Sequence, residues 1–153
     1  MKDSKSKWSK KGKIVYMGVR LDSTSEKKLQ DWWKKEVGPL HTDVKSHHMT
    51  IAFKPTADMF ESHWETLGDS EVVLKVNGYV DAPHVQAVSV EDGGLSMNKI
   101  PHVTVAVGPG GSAKDSNDAL EDRIDISGPI LKGKLMLFGR GKEVVGDIPW
   151  ETQ

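Results

Sequence analysis

Apolar and polar residues alternate along KIVYMGVRL (13–21), the two-residue period of a β-strand with one buried face. The period then changes. In STSEKKLQDWWKKEVG, Leu29, Trp32, Trp33 and Val37 fall on one face at helical spacing. Ser23 is the candidate N-cap of this helix, Glu26 three residues on completes a capping box, and Gly38-Pro39 is the stop. Alternation returns in HHMTIAF, predicting a strand over about 48–54, and TADMFESHWETLG predicts a shorter helix closed by Gly68. EVVLKVNGYVDAPHVQAVSVED reads as two long strands meeting at an Asp81-Ala82-Pro83 turn, and PHVTVAV as a strand over about 101–107. GPGGSAKDSNDALED reads as a Gly-rich loop entering a short helix capped by Ser116 or Asn117. GPILKGKLMLFGRGKEVVGDIPW reads as a β-hairpin turning at Gly139-Arg140-Gly141.

This pattern predicts one α+β domain over 13–153, built mostly from antiparallel strands, because no stretch has the composition or length of a linker. The strands at 48 and 102 are each followed by a loop and a helix. The elements around them echo one another, which predicts two pseudo-symmetric half-domains of antiparallel strands flanked by helices, facing across a central catalytic groove. At 153 residues and 37% hydrophobic content the chain is large enough to bury a core.

Charge changes the picture more than bulk composition does. Residues 1–13 carry six lysines against Asp3, a local charge of +5 in a chain whose net charge is −1. Residues 1–12 therefore read as a flexible basic arm, and the rest is acidic. Long nucleic acids are held by many Lys and Arg contacts to phosphate, so an acidic body suits a short or cyclic nucleotide better. The absence of Cys excludes disulfides, thiol nucleophiles and thiolate metal sites. No apolar run approaches the roughly 20 residues needed to cross a bilayer, and the N-terminus lacks the apolar segment of a signal peptide, so a cytoplasmic protein without membrane contact is expected.

The candidate chemistry lies in a motif present twice, His48-Met49-Thr50 and His102-Val103-Thr104, each at the start of an alternating strand. Strand residues two apart share a face, so His48 projects with Thr50 and His102 with Thr104. Two imidazoles and two hydroxyls facing one another suffice to cleave a phosphodiester. A neutral His acts as general base, a protonated His as general acid, and the hydroxyls donate hydrogen bonds to the nonbridging oxygens. The pocket is symmetric to a first approximation, so the spacing alone does not assign base and acid.

On these two motifs, and over about Lys13 to Trp150, the chain resembles the 2H phosphoesterase superfamily, named for paired His-x-Thr/Ser motifs. YMGVRLD, HHMTIAF, VNGYVDAPHVQAVSV, PHVTVAVGPGG and DSNDAL are most similar to its phage anti-CBASS branch, nucleases that degrade cyclic oligonucleotide signals of bacterial immunity. The resemblance implies a metal-independent phosphodiesterase with His48, Thr50, His102 and Thr104 as catalytic residues and no cofactor. The implied substrate is a 3′,5′-linked cyclic di- or trinucleotide in the host bacterial cytoplasm, with no stable protein partner. An alternative within the superfamily is a 2′,3′-cyclic phosphodiesterase acting on short RNA ends. A third reading, from another class, is a non-catalytic protein that sequesters nucleotides, which would need no paired acid and base.

Other residues are candidates for binding. Tyr16 lies on the strand phase opposite Met17 and Val19, so it faces the groove and is a base-stacking candidate; so is Trp150, which follows Pro149 and has no evident core position. Glu143 flanks the last strand and can accept from a base edge. Trp32 and Trp33 read as core. His47 adjoins His48 and by alternation points to the other face. His41, His63 and His84 lack ligand spacing, so no metal site is expected. GPGGSAKDSN is a candidate phosphate cradle at a helix start.

Overall fold

The structure, a computed structural model, describes residues 14–139 and 144–145. Strand β1 (Ile14–Leu21) leads into helix α1 (Ser23–Glu36). The helix is capped one residue earlier than the pattern predicts. Asp22, not Ser23, accepts the Ser25 N–H at 2.7 Å, because a carboxylate at the preceding extended position is the stronger acceptor. The short β2 (Asp43–Val44) precedes β3 (His48–Phe53), and α2 (Ala57–Leu67) follows, capped by Thr56 and closed by Gly68 at φ 53°.

Strands β4 (Val72–Asp81) and β5 (Val85–Glu91) form the expected hairpin, and β6 (His102–Val107) carries the second motif. After it come a 3-10 turn (Ala113–Asp115), the four-residue α3 (Ser116–Ala119) and a second 3-10 turn (Leu120–Asp122). The chain then runs through β7 (Ile124–Asp125), β8 (Ile130–Gly139) and β9 (Val144–Val145). The β8–β9 pairing is antiparallel, and the residues joining the two strands lie outside the described residues.

Six strands close a ring in the order β4-β5-β6-β3-β1-β8, because Val72–Lys75 of β4 pairs with Ile130–Gly133 of β8; every pairing is antiparallel. The α+β class and the antiparallel strands are as the pattern predicts. The connection of the strands is not. They form one closed barrel instead of two sheets facing each other, and the stretches after the two motifs differ, with eleven residues in α2 against four in α3. The ring is thinnest between β3 and β6, where Met49–Val103 is the one register pair among the described residues and the 92–97 loop bonds β3 beyond it through Met97 N–H to Ile51 O.

Inward side chains from every barrel strand make one core, among them Met17, Val19, Met49, Ile51, Leu74, Val76, Val88, Val103, Leu135 and Leu137. Leu29 and Trp33 of α1 and Phe60 of α2 are buried in the same cluster. Trp32 is only partly buried and meets Trp33 and Tyr79 edge to face. Among the described residues no helix is long and apolar enough to cross a membrane.

Gly18 ties this fold to the motifs. It pairs with Thr50 across β1 and β3, and a Cβ there would run into the Met49 carbonyl. The obstacle is backbone, so the strands would have to separate. Gly18→Ala is expected to cost about 1–3 kcal/mol, measured by chemical denaturation; a midpoint equal to that of the parent protein would show that β3 gives way freely.

Candidate functional site

The two motifs lie on neighbouring strands. Met49 of β3 sits directly opposite Val103 of β6, and both side chains are buried in the barrel. Alternation then turns the residues flanking them, His48 and Thr50 on one strand and His102 and Thr104 on the other, to the outer face. The antiparallel direction sets each histidine of one motif toward the threonine end of the other.

Irregularity enters at the start of β3. The Ser46 N–H donates to Thr104 O at 2.9 Å, yet the next pairing is Met49 with Val103. His47 and His48 thus stand between two rungs that on β6 are consecutive, which makes a bulge; Ser46 enters it at φ 58°. The bulge overturns the expectation that His47 points to the opposite face. Its ring lies beside His48, with the two Nδ1 atoms 2.7 Å apart.

His48 is held on three sides. Its ring centroid is 4.8 Å from Tyr16 and 5.1 Å from Phe138, and Tyr16 in turn stacks on Phe138 at 4.6 Å. Its Nε2 lies 3.2 Å from Thr50 Oγ1, so the first motif makes an internal hydrogen bond. Burial raises the Tyr16 phenol above its ordinary pKa, with nearby Arg20 opposing, so the hydroxyl stays protonated at neutral pH. Arg20 is the register partner of His48 and pairs with Glu26 of α1 at 3.2 Å.

His102 has a different environment. It is 7% exposed, and its Nδ1 is 2.8 Å from Ile100 O. A carbonyl only accepts, so the neutral ring carries its proton on Nδ1 and keeps a lone pair on Nε2. Burial pushes this imidazole below its ordinary pKa of 6.5, with the Ile100 bond opposing in part, so at pH 7 the ring is neutral. The structure therefore breaks the symmetry that the two motifs suggest.

Thr104 is nearly buried, with its Oγ1 2.8 Å from Ser116 Oγ and 3.4 Å from Ala113 O. When Ser116 donates, the Thr104 proton is left with only the long Ala113 contact and can turn to a ligand oxygen. Ser116 is thus the buried partner of a motif residue and not the helix cap that the sequence pattern predicts. The nearby Gly-rich loop spends several of its N–H groups on its own fold. Its Gly108, Gly111, Ser112 and Asp115 N–H groups already donate to His84 O, Gly108 O, the Asp115 carboxylate and Ser112 O.

A structural feature beside the motifs escapes the sequence pattern altogether. Asp92, 8% exposed, accepts from Gly94 N–H at 2.9 Å and Ser96 N–H at 2.7 Å. The loop it folds is fastened to the first motif by Ser96 Oγ donating to Thr50 O and Met97 N–H donating to Ile51 O, both at 2.8 Å. The same loop ends at Ile100, whose carbonyl orients His102. Asp-Gly-Gly at 92–94 is a turn signal, but nothing in it names β3 as the strand to which the loop is tied.

Phe53 pairs in register with Tyr16, is 67% exposed, and has Lys54 Nζ 5.4 Å from its ring centroid. Glu143 and Trp150 lie outside the described residues, as does the basic arm at 1–12. His41 and His63 make hydrogen bonds to the Ala82 and Met59 carbonyls, and His84 is exposed. Among the described residues no three His, Asp or Glu side chains are grouped as a metal would require. A surface hollow of about 540 Å³ along α1, lined by Lys27, Lys28, Trp32 and Lys35 among others, includes no motif residue.

No protein-family model matches the chain, and no curated protein matches it by sequence. Among solved structures it is similar to one described as the crystal structure of a fungal RNA kinase, with a TM-score of 0.55 and 14% identity over 81% of this chain. The match spans 45% of that chain, about half its length. At this identity the likeness is one of fold.

Proposed function

We propose that this protein is a metal-independent phosphodiesterase of the two-histidine type, with His102 as general base and His48 as general acid. The observation that carries it is the Met49–Val103 pairing, which sets the two His-x-Thr motifs side by side on one outer face. His102, neutral and with no hydrogen bond to its Nε2 among the described residues, can take a proton from an attacking hydroxyl. His48 can return one to the departing oxygen. Thr50 and Thr104 hydroxyls can donate to the nonbridging oxygens as negative charge develops. The face bearing β3 and β6 is then the floor of a catalytic groove, with Tyr16 packed against His48 and Phe53 offering an exposed ring on which a base can stack.

The substrate we infer first is a 3′,5′-linked cyclic di- or trinucleotide signal, as the sequence resemblance to the phage anti-CBASS branch and the acidic body favour. Glu143 and Trp150 remain candidates for contact with its bases. The second reading is opening of a 2′,3′-cyclic phosphate at an RNA end, which the fold likeness to a structure described as an RNA kinase favours. Incubation with cyclic di- and trinucleotides beside RNA ending in 2′,3′-cyclic phosphate, read by mass spectrometry with substrate in large excess, separates the two. Binding of any of these without turnover would make the protein a nucleotide sequestrant.

The rate is expected to be bell-shaped in pH. Its acidic limb reports protonation of His102, whose pKa is depressed, so activity is retained below pH 6.5 and is lost only as pH falls through that lowered value. Activity is also expected to survive EDTA, since the two imidazoles supply both proton transfers. An acidic limb above 6.5, or loss in EDTA reversed by a divalent ion, would overturn this assignment.

A further inference from the structure

We infer that His47 is a positioning residue that holds His48 as the proton donor of the site, an inference that rests on the phosphodiesterase reading above. The two Nδ1 atoms are 2.7 Å apart with ring planes 22° from parallel. Two nitrogen lone pairs do not approach so closely without a proton between them, so one Nδ1–H donates to the other Nδ1. When His48 carries its second proton, both of its N–H groups have acceptors. His47 Nδ1 accepts on one side. Thr50 Oγ1, 3.2 Å from Nε2, or a leaving oxygen in its place, accepts on the other.

A hydrogen bond made to the charged form favours that form. His47 therefore favours the His48 imidazolium, the species that a general acid needs at neutral pH. The pair holds one extra proton and not two, because two imidazolium rings in contact repel. The bulge is what makes this contact: a regular strand would put successive side chains on opposite faces, and the two residues between Ser46 and Met49 escape that rule.

The charged and titratable groups around the pair, among the described residues, come from several elements. Tyr16 and Arg20 of β1 pack on or pair with His48, and Arg20 also donates to His47 O at 3.3 Å. Glu26 of α1 is paired with Arg20, Lys45 is paired with Asp43 of β2 at 3.3 Å, and His102 lies on β6 across from the first motif. The Arg20 and Lys45 cations oppose a charge on the pair, and Glu26 and Asp43 offset them. His47→Asn separates the Nδ1 contact from these surroundings, because it keeps an acceptor beside His48 Nδ1 while the ring is removed.

The test is an NMR titration of His48 in the full chain without ligand, for the parent protein, His47→Ala and His47→Asn, beside kinetics on whichever of a cyclic dinucleotide or a 2′,3′-cyclic-phosphate RNA end is turned over. His47→Ala is expected to lower the His48 midpoint by about one pH unit, the size of one lost charge-assisted hydrogen bond. It should move the basic limb of the rate profile down equally and lower kcat about tenfold, with KM within about twofold. His47→Asn, whose side-chain oxygen accepts from Nδ1–H, should restore most of both. An unchanged or raised His48 midpoint in folded His47→Ala overturns the inference, as does equal loss in His47→Asn. The titration needs no turnover, so a lowered midpoint in a protein that cleaves neither substrate supports the pairing and overturns the phosphodiesterase reading instead.

Discussion

His48→Ala and His102→Ala are each expected to lower the chemical rate by roughly 100-fold or more while leaving the barrel folded, because each removes one of two proton-transfer groups. The fold should tolerate both changes. Neither histidine belongs to the apolar core cluster, though His102 is buried, and the core residues Met49 and Val103 are untouched. The two losses should differ in kind. Without His102 the base is gone, and the acidic limb of the pH profile, set by its buried ring, should disappear. Without His48 the departing oxygen receives no proton from the protein, so substrates with a better leaving group should recover the most. Single-turnover rates on purified, folded variants check this. Turnover within a few-fold of the parent protein in either variant would remove that histidine from the mechanism.

How far the sequence discloses this site depends on how regular the chain is at each point. On β6 the ladder with β5 runs without interruption from Ala87–Thr104 to Ser89–His102, and the alternation rule places His102 and Thr104 on one face, as the structure has them. On β3 the same rule places Thr50 correctly and His47 wrongly. A bulge is a property of two strands together, and nothing in SHHMT announces that Ser46 will pair with Thr104 while Met49 pairs with Val103. The difference between the histidines was equally hidden. It comes from burial and from the Ile100 carbonyl, which ends the loop that Ser96 fastens to β3.

The barrel is a similar case. Helices α1 and α2 and the β4–β5 hairpin are local and legible from period, stop and turn residues, with the α1 cap displaced by one residue. Closure needs Val72–Lys75 to find Ile130–Gly133 far along the chain, and either segment read alone is only an alternating strand. Two half-domains and one closed ring share almost the same list of elements; what separates them is a pairing between distant strands. Ser116 shows the same limit at the scale of one residue. Its position before a short helix reads as a cap, and only the fold brings it to Thr104.

Replacing the 2′-hydroxyl next to the scissile phosphate by hydrogen or methoxy in a 3′,5′-linked cyclic dinucleotide is expected to abolish cleavage at that position while leaving binding in place. In the first substrate reading that hydroxyl is the nucleophile. It is already adjacent to phosphorus, so the protein need only remove its proton through His102 Nε2 and protonate the departing 5′-oxygen from His48. The bond formed is from the 2′-oxygen to phosphorus, the bond broken is from phosphorus to the 5′-oxygen, and the ring opens to a linear product ending in a 2′,3′-cyclic phosphate. Water on a preformed 2′,3′-cyclic phosphate, the second reading, instead predicts efficient turnover of RNA ends and little action on intact rings. The analogue experiment requires mass spectrometry of the products and a direct binding measurement on the same ring. Rapid cleavage of a fully 2′-deoxy ring would show that the attacking oxygen comes from water, and His102 would then be the base for that water.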